Sequence, residues 1–139
     1  TLHWPDEYLQ QMDYVIASIH RGHYDDPVKR LIEATKHNKV KIIGHPTGRM
    51  LGRREIPDEQ WCELFKICAD KNILLEINGA RMDLNISLIK EAKSYGCKFV
   101  LNSDAHSVSQ FCWQELAIGL AYKAELNDND LGIPTGQLT

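Results

Sequence analysis

The residue types in this chain best suited to chemistry are imidazole and carboxylate: His20, His45, Asp104 and His106. Two or three imidazoles with a carboxylate suit zinc, manganese or iron. An ion held in that way polarises a phosphoryl oxygen and lowers the pKa of bound water, giving a hydroxide nucleophile near neutral pH. Each residue also has a plain structural reading. His20 fits a strand-end histidine bonded to backbone, His45 before Pro46 fits a turn, and Asp104 fits a helix cap. Only their joint placement favours a metal site.

A second group is the run Thr47-Gly-Arg-Met-Leu-Gly-Arg-Arg54, in which Arg49, Arg53 and Arg54 could grip a phosphate with forked guanidinium donors. The alternative is a solvated loop whose arginines pair with Glu55 or Asp58. Asn78 is a further polar residue placed to contact phosphate. Other chemistries lack their patterns. Gly44 to Gly48 is followed by no Lys-Ser/Thr, so it is not a Walker loop. Asn127-Asp-Asn-Asp130 lacks the glycine and terminal glutamate of a calcium loop, and no Gly-x-Ser-x-Gly elbow surrounds Ser103 or Ser107.

The elements that must position these groups follow one pattern, a short β-branched apolar run and then an amphipathic helix, four times over. That alternation predicts an α/β fold with a parallel sheet. Strands are expected at Asp13 to His20, Val40 to Gly44, Ile73 to Ile77 and Lys98 to Asn102. Helices are expected from Asp26-Pro27, from Asp58, from a cap at Asp83 or Asn85 that stops at Gly96, and along a stripe of Trp113, Leu116, Ala117, Leu120, Ala121 and Ala124. A short helix is expected near Trp4 to Met12. His20, His45, Asn78 and the Asp104/His106 pair then fall at C-terminal strand ends, the functional edge of parallel α/β folds. Crossovers bring such ends side by side.

With 139 residues, 43% hydrophobic and 25% charged, the chain has the profile of a single globular domain. Residues 126–139 form an expected tail or linker. No apolar run approaches the roughly 18 residues of a membrane span and the first ten residues carry no secretory pattern, so a cytoplasmic location is expected. Cys62, Cys68, Cys97 and Cys112 form no C-x-x-C pair and read as reduced core thiols. A formal net charge of -3 gives no general attraction to nucleic acid, so a DNA contact needs a local basic patch.

Four stretches carry a family resemblance: Val15-Ile-Ala-Ser-Ile-His20, Ile43-Gly-His-Pro-Thr-Gly-Arg-Met-Leu-Gly-Arg-Arg54, Leu75-Glu-Ile-Asn-Gly-Ala-Arg-Met-Asp-Leu84 and Leu101-Asn-Ser-Asp-Ala-His-Ser107. In this order they resemble the PHP (polymerase and histidinol phosphatase) family. Within it, the Thr47 to Arg54 stretch looks like the branch attached to bacterial and archaeal family X DNA polymerases. The resemblance implies a distorted seven-stranded (β/α) TIM-like barrel with up to three divalent ions (manganese, zinc or iron) at the strand ends. It implies phosphoesterase activity, with 3′-5′ exonuclease action on DNA 3′ ends in that branch. A small-molecule phosphatase of the histidinol-phosphatase kind and a non-catalytic metal-binding scaffold are the alternatives. Carried over, His20 and His45 look like ligands sharing one metal and Asp104 and His106 like ligands of the others, these last two being the catalytic pair.

The family pattern opens with His-x-His, further histidines and a bridging glutamate, none of which precedes Thr1. Glu7 and Glu76 do not sit where that glutamate would be, Glu76 being mid-strand. The chain is therefore expected to be a C-terminal fragment, about four βα units, of a PHP domain. Its expected partners are the N-terminal half, a polymerase domain and a second copy of itself. Alone, it is expected to be catalytically silent.

Overall fold

The computed structural model describes residues 2–20, 26–48 and 58–134. Strands β1 (Val15–Ala17), β2 (Val40–Ile43), β3 (Leu74–Asn78) and β4 (Phe99–Asn102) alternate with helices α1 (Asp6–Leu9), α2 (Pro27–Ala34), α3 (Asp58–Lys71), α4 (Ile86–Ser94) and α5 (Gln114–Lys123). All neighbouring strands are parallel, in the order β1-β2-β3-β4. This is the expected α/β architecture, a four-stranded part of a TIM-like (β/α) barrel.

The apolar runs become strands because both faces of the sheet are covered. All five residues of β3 are buried, and α5 lies against β3 and β4 while α2 packs on α3. Phe65, Phe99, Leu64, Leu75, Ile77 and Leu84 are fully buried between them. Helix starts follow the expected chemistry. Asp26 accepts from the Lys29 amide with Pro27 in the first turn, and Asn85 accepts from the Leu88 amide at 2.9 Å. Asn85, not Asp83, is thus the cap of α4. Gly96, at φ +87°, follows the helix end in the left-handed conformation that glycine tolerates best.

Three expectations are revised. The first strand is three residues long rather than eight, and its register with β2 shifts between Val15 and Ile16. The last bond there runs from the Gly44 amide to the Ala17 carbonyl at 2.9 Å, leaving Ser18, Ile19 and His20 beyond the sheet. On α5, Ala117, Leu120, Ala121 and Ala124 are buried, but Leu116 is 45% exposed. A 3-10 helix at Val108–Trp113 precedes α5 and displays Val108 and Phe111 to solvent. Of the cysteines only Cys68 and Cys97 are core thiols; Cys62 is half-buried and Cys112 exposed. Burial pushes the Cys97 thiol up to about 12. Within the expected tail or linker, residues 126–139, the stretch from Asn127 to Gly132 packs against the rest of the fold. A capping box on Asn127 opens a 3-10 turn, Leu131 bridges Phe99 in parallel, and Lys93 bonds Asp130 at 2.9 Å.

Among the described residues no helix is long and apolar enough to cross a membrane.

Candidate functional site

The three loops that leave β2, β3 and β4 meet at one end of the sheet, and a buried carboxylate joins them. Glu76, in the middle of β3, accepts from the His45 amide at 2.7 Å, from Asn78 Nδ2 at 3.0 Å and from Asn102 Nδ2 at 2.7 Å. Next to it, Gly44 leaves little room: a Cβ there would lie 2.5 Å from Ser18 Oγ and 2.9 Å from Ile16 Cγ2, and those side chains would have to move. This close approach carries the segment after β1 up to the start of the His45 loop.

His20 and His45 come together, their rings perpendicular with centroids 4.9 Å apart. His20 is exposed, whereas His45 is buried. Its Nδ1 is a buried atom with no hydrogen-bond partner among the described residues. Burial, then the Arg81 guanidinium, holds its pKa below the ordinary imidazole value, so the ring stays neutral and keeps a lone pair for a ligand or metal. His45 also has φ 30° and Asp104 φ 55°. Left-handed conformations are uncommon for such residues and cluster at functional sites.

Asp104 is set against Arg81, whose Nε donates to Oδ2 at 2.8 Å. Partial burial pushes the carboxyl upward, but the hydrogen bonds from Arg81 and Asn78 and the charge of Arg81 outweigh it and hold its pKa low. His106 lies further out, exposed, with Nδ1 2.7 Å from the Asp104 carbonyl oxygen. Because a carbonyl only accepts, the proton sits on Nδ1 and Nε2 is left with its lone pair.

The expected quartet is therefore split: His20 with His45, Asp104 with Arg81, His106 at the rim. Among the described residues no group of three or more His, Cys, Asp or Glu side chains gathers around one ion position. Asn78, expected to touch phosphate, is 1% exposed, with its amide nitrogen given to Glu76 and its oxygen accepting from the Arg81 amide at 2.9 Å. It holds the loop. Arg49, Arg53 and Arg54 lie outside the described residues.

Three participants escaped the sequence reading. Glu76 lies mid-strand and away from the expected glutamate position, yet a carboxylate in the apolar run Leu-Leu-Glu-Ile has to be bonded where it is buried, and that is a signal. Arg81 carried no motif of its own. Asp83 looked like a cap but is 4% exposed and clasps Thr47, accepting from its amide at 2.9 Å and its hydroxyl at 3.1 Å, while the hydroxyl also reaches the Asp83 carbonyl at 2.7 Å. Separately, a cleft of about 790 Å³ lies between the segment that follows β1, the N-terminal residues and α2, lined by Trp4, Ser18, His20 and Arg30 among others. It includes His20 but neither His45 nor Asp104.

No family model matches the chain. It is 39% identical over 114 residues to the DNA polymerase/3'-5' exonuclease PolX of Bacillus subtilis, an alignment covering 78% of this chain and 20% of that protein. It is 32% identical over 114 residues to a probable phosphatase of Caldicellulosiruptor saccharolyticus and 28% identical over 115 residues to one of Clostridium novyi, in each case covering 73% of this chain and 45% of the relative. The chain thus spans less than half the length of these curated relatives, and what it shares with them is homology to the PHP/phosphatase-type domain superfamily.

Proposed function

We propose that this chain supplies part of a metal-dependent phosphoesterase site, and that the ester it acts on is a small-molecule phosphate monoester. Homology to several probable phosphatases supports that substrate class. The observation that carries the metal reading is the neutral, buried His45 ring with an unpartnered Nδ1, 4.9 Å between centroids from His20. These donors fit part of a coordination sphere: His20 and His45 would hold one divalent ion, and Asp104 and His106 would serve others, up to three of manganese, zinc or iron. A divalent ion there supplies Lewis acidity toward a phosphoryl oxygen and acidifies bound water.

The chain's own residues have separate tasks. Arg81, pinned through Nε by Asp104, has guanidinium N–H groups left to bind phosphoryl oxygens. His106, with its proton on Nδ1, offers Nε2 as ligand or as acceptor of a water proton. Hydrolysis then adds water to phosphorus, breaks the ester P–O bond and releases phosphate and the alcohol.

A second reading, 3′-5′ exonuclease action on a DNA 3′ end beside a polymerase domain, is favoured by the 39% identity to PolX. The test is an assay of the intact protein with manganese on p-nitrophenyl phosphate and on a 3′-labelled oligonucleotide. The first reading expects monoester turnover that His45→Ala lowers by about 100-fold or more, as loss of a metal ligand does. Turnover of the oligonucleotide alone moves the site to the second reading. Unchanged turnover in His45→Ala removes the metal assignment.

A further inference from the structure

We propose that Glu76 is the positioning residue of this site, a role that rests on His45 being a metal ligand as read above. β3 lies between β2 and β4, so a side chain at its centre can reach both neighbours. Glu76 is 6% exposed, and its three bonded donors are neutral groups from three separate places. The His45 amide lies just past β2, Asn78 ends β3 and Asn102 ends β4.

Each bond fixes a different part of the site. The 2.7 Å bond from the His45 amide is charge-assisted and is made where the His45 backbone sits at φ 30°. It holds an otherwise unfavourable turn and with it the imidazole beside His20. Through Asn78, whose oxygen takes the Arg81 amide, Glu76 sets the loop that presents Arg81 to Asp104. Asn102 ties down the strand that leads into Asp104. An apolar residue would suit the strand equally well but would leave the buried His45 amide and both carboxamides without their acceptor. One carboxylate that touches none of the proposed ligand atoms thereby sets the relative placement of His45, Arg81 and Asp104.

The experiment uses the intact protein with Glu76→Gln, Glu76→Ala and His45→Ala. It reads manganese affinity by water-proton relaxation, the His45 amide by proton–nitrogen correlation spectra, and folding by thermal melts. Glu76→Ala is expected to bind manganese roughly 10- to 100-fold more weakly, the range for residues that orient ligands, and to shift the His45 amide proton upfield. Glu76→Gln keeps an oxygen for the His45 amide and Asn78, and Asn102 can turn its own oxygen to the new amide. Its affinity should stay within about threefold of wild type, with a smaller upfield shift from the neutral acceptor. A role confined to stability would lower the melting temperature and leave the affinity of the folded protein unchanged, which overturns the proposal. If Glu76→Ala does not fold, an unmoved His45 amide in Glu76→Gln overturns it equally. His45→Ala separates the two readings: wild-type manganese affinity in that variant removes the ligand assignment, whereas the His45 amide shift judges Glu76 independently.

Discussion

Asp83 shows how one buried side chain leaves a mark on the pH dependence of folding. Its carboxyl is pushed up to about 6 by burial, against the opposing bonds from Thr47, and its Oδ1 has no partner among the described residues. A carboxyl whose folded pKa is raised binds its proton more tightly when folded, so the penalty is absent below about pH 4, grows as pH rises and is complete above about pH 6. A rise from 3.8 to about 6 corresponds to about 3 kcal/mol. Asp83→Asn keeps an oxygen for Thr47 and cannot ionise. Urea melts should therefore show the variant gaining on wild type by about 2–3 kcal/mol between pH 4 and pH 7. A pH-independent difference would mean that the Asp83 carboxyl titrates alike in the folded and unfolded chain, so that burial does not raise it. The clasp joins the loops after β2 and β3, so its strength bears directly on how firmly His45 is held.

Two glycines separate what a turn demands from what a helix merely tolerates. At Gly79, directly after β3, a Cβ would lie 1.9 Å from the Trp113 carbonyl oxygen, because the 3-10 helix ends against that backbone. Gln114 reinforces the contact by donating to the Leu101 carbonyl at 2.9 Å. Gly79→Ala must push the 3-10 helix and α5 off the end of the sheet, and a loss of about 2–3 kcal/mol is expected, at the upper end for overpacking. Gly119, within α5, faces open space. Gly119→Ala should stabilise the protein by about 0.5–1 kcal/mol, the usual helix-interior difference. Chemical denaturation of both variants checks the pair; equal and opposite signs to these would show that α5 is docked differently from the arrangement described.

Taken as one body, the sheet has unequal edges. β4 is covered by Leu131 and Gly132, whose amide donates to the Phe99 carbonyl at 2.9 Å. β1 pairs only with β2 among the described residues, and Ile16 on it is 46% exposed. An apolar residue on an open strand edge favours pairing with another chain. Light scattering on the chain should show concentration-dependent association that Ile16→Lys reduces, since an edge lysine opposes strand pairing. A monomer at all concentrations would place the cover of β1 within the chain itself. Formal charge does not prevent such association, at -3 over 139 residues.

Much of this architecture was legible before any coordinates. Apolar runs of strand length, Asp26-Pro27, Asn85 and Gly96 are local signals, and local backbone chemistry fixes the elements they mark. The alternation of strand and helix implied a parallel sheet, and parallel order alone sent His20, His45, Asp104 and His106 to one end of it. Bonds between elements decided the rest. Arg81 and Asp104 are 23 residues apart and Glu76 and His45 are 31 apart; no periodicity records such pairings, since each depends on which loops face one another once the strands are in register. The same is true of the register shift within β1 and of the contact at Gly79. A strand's own residues specify that it is a strand, but whether a buried glutamate within it is an error or a hub depends on donors that only its neighbours bring.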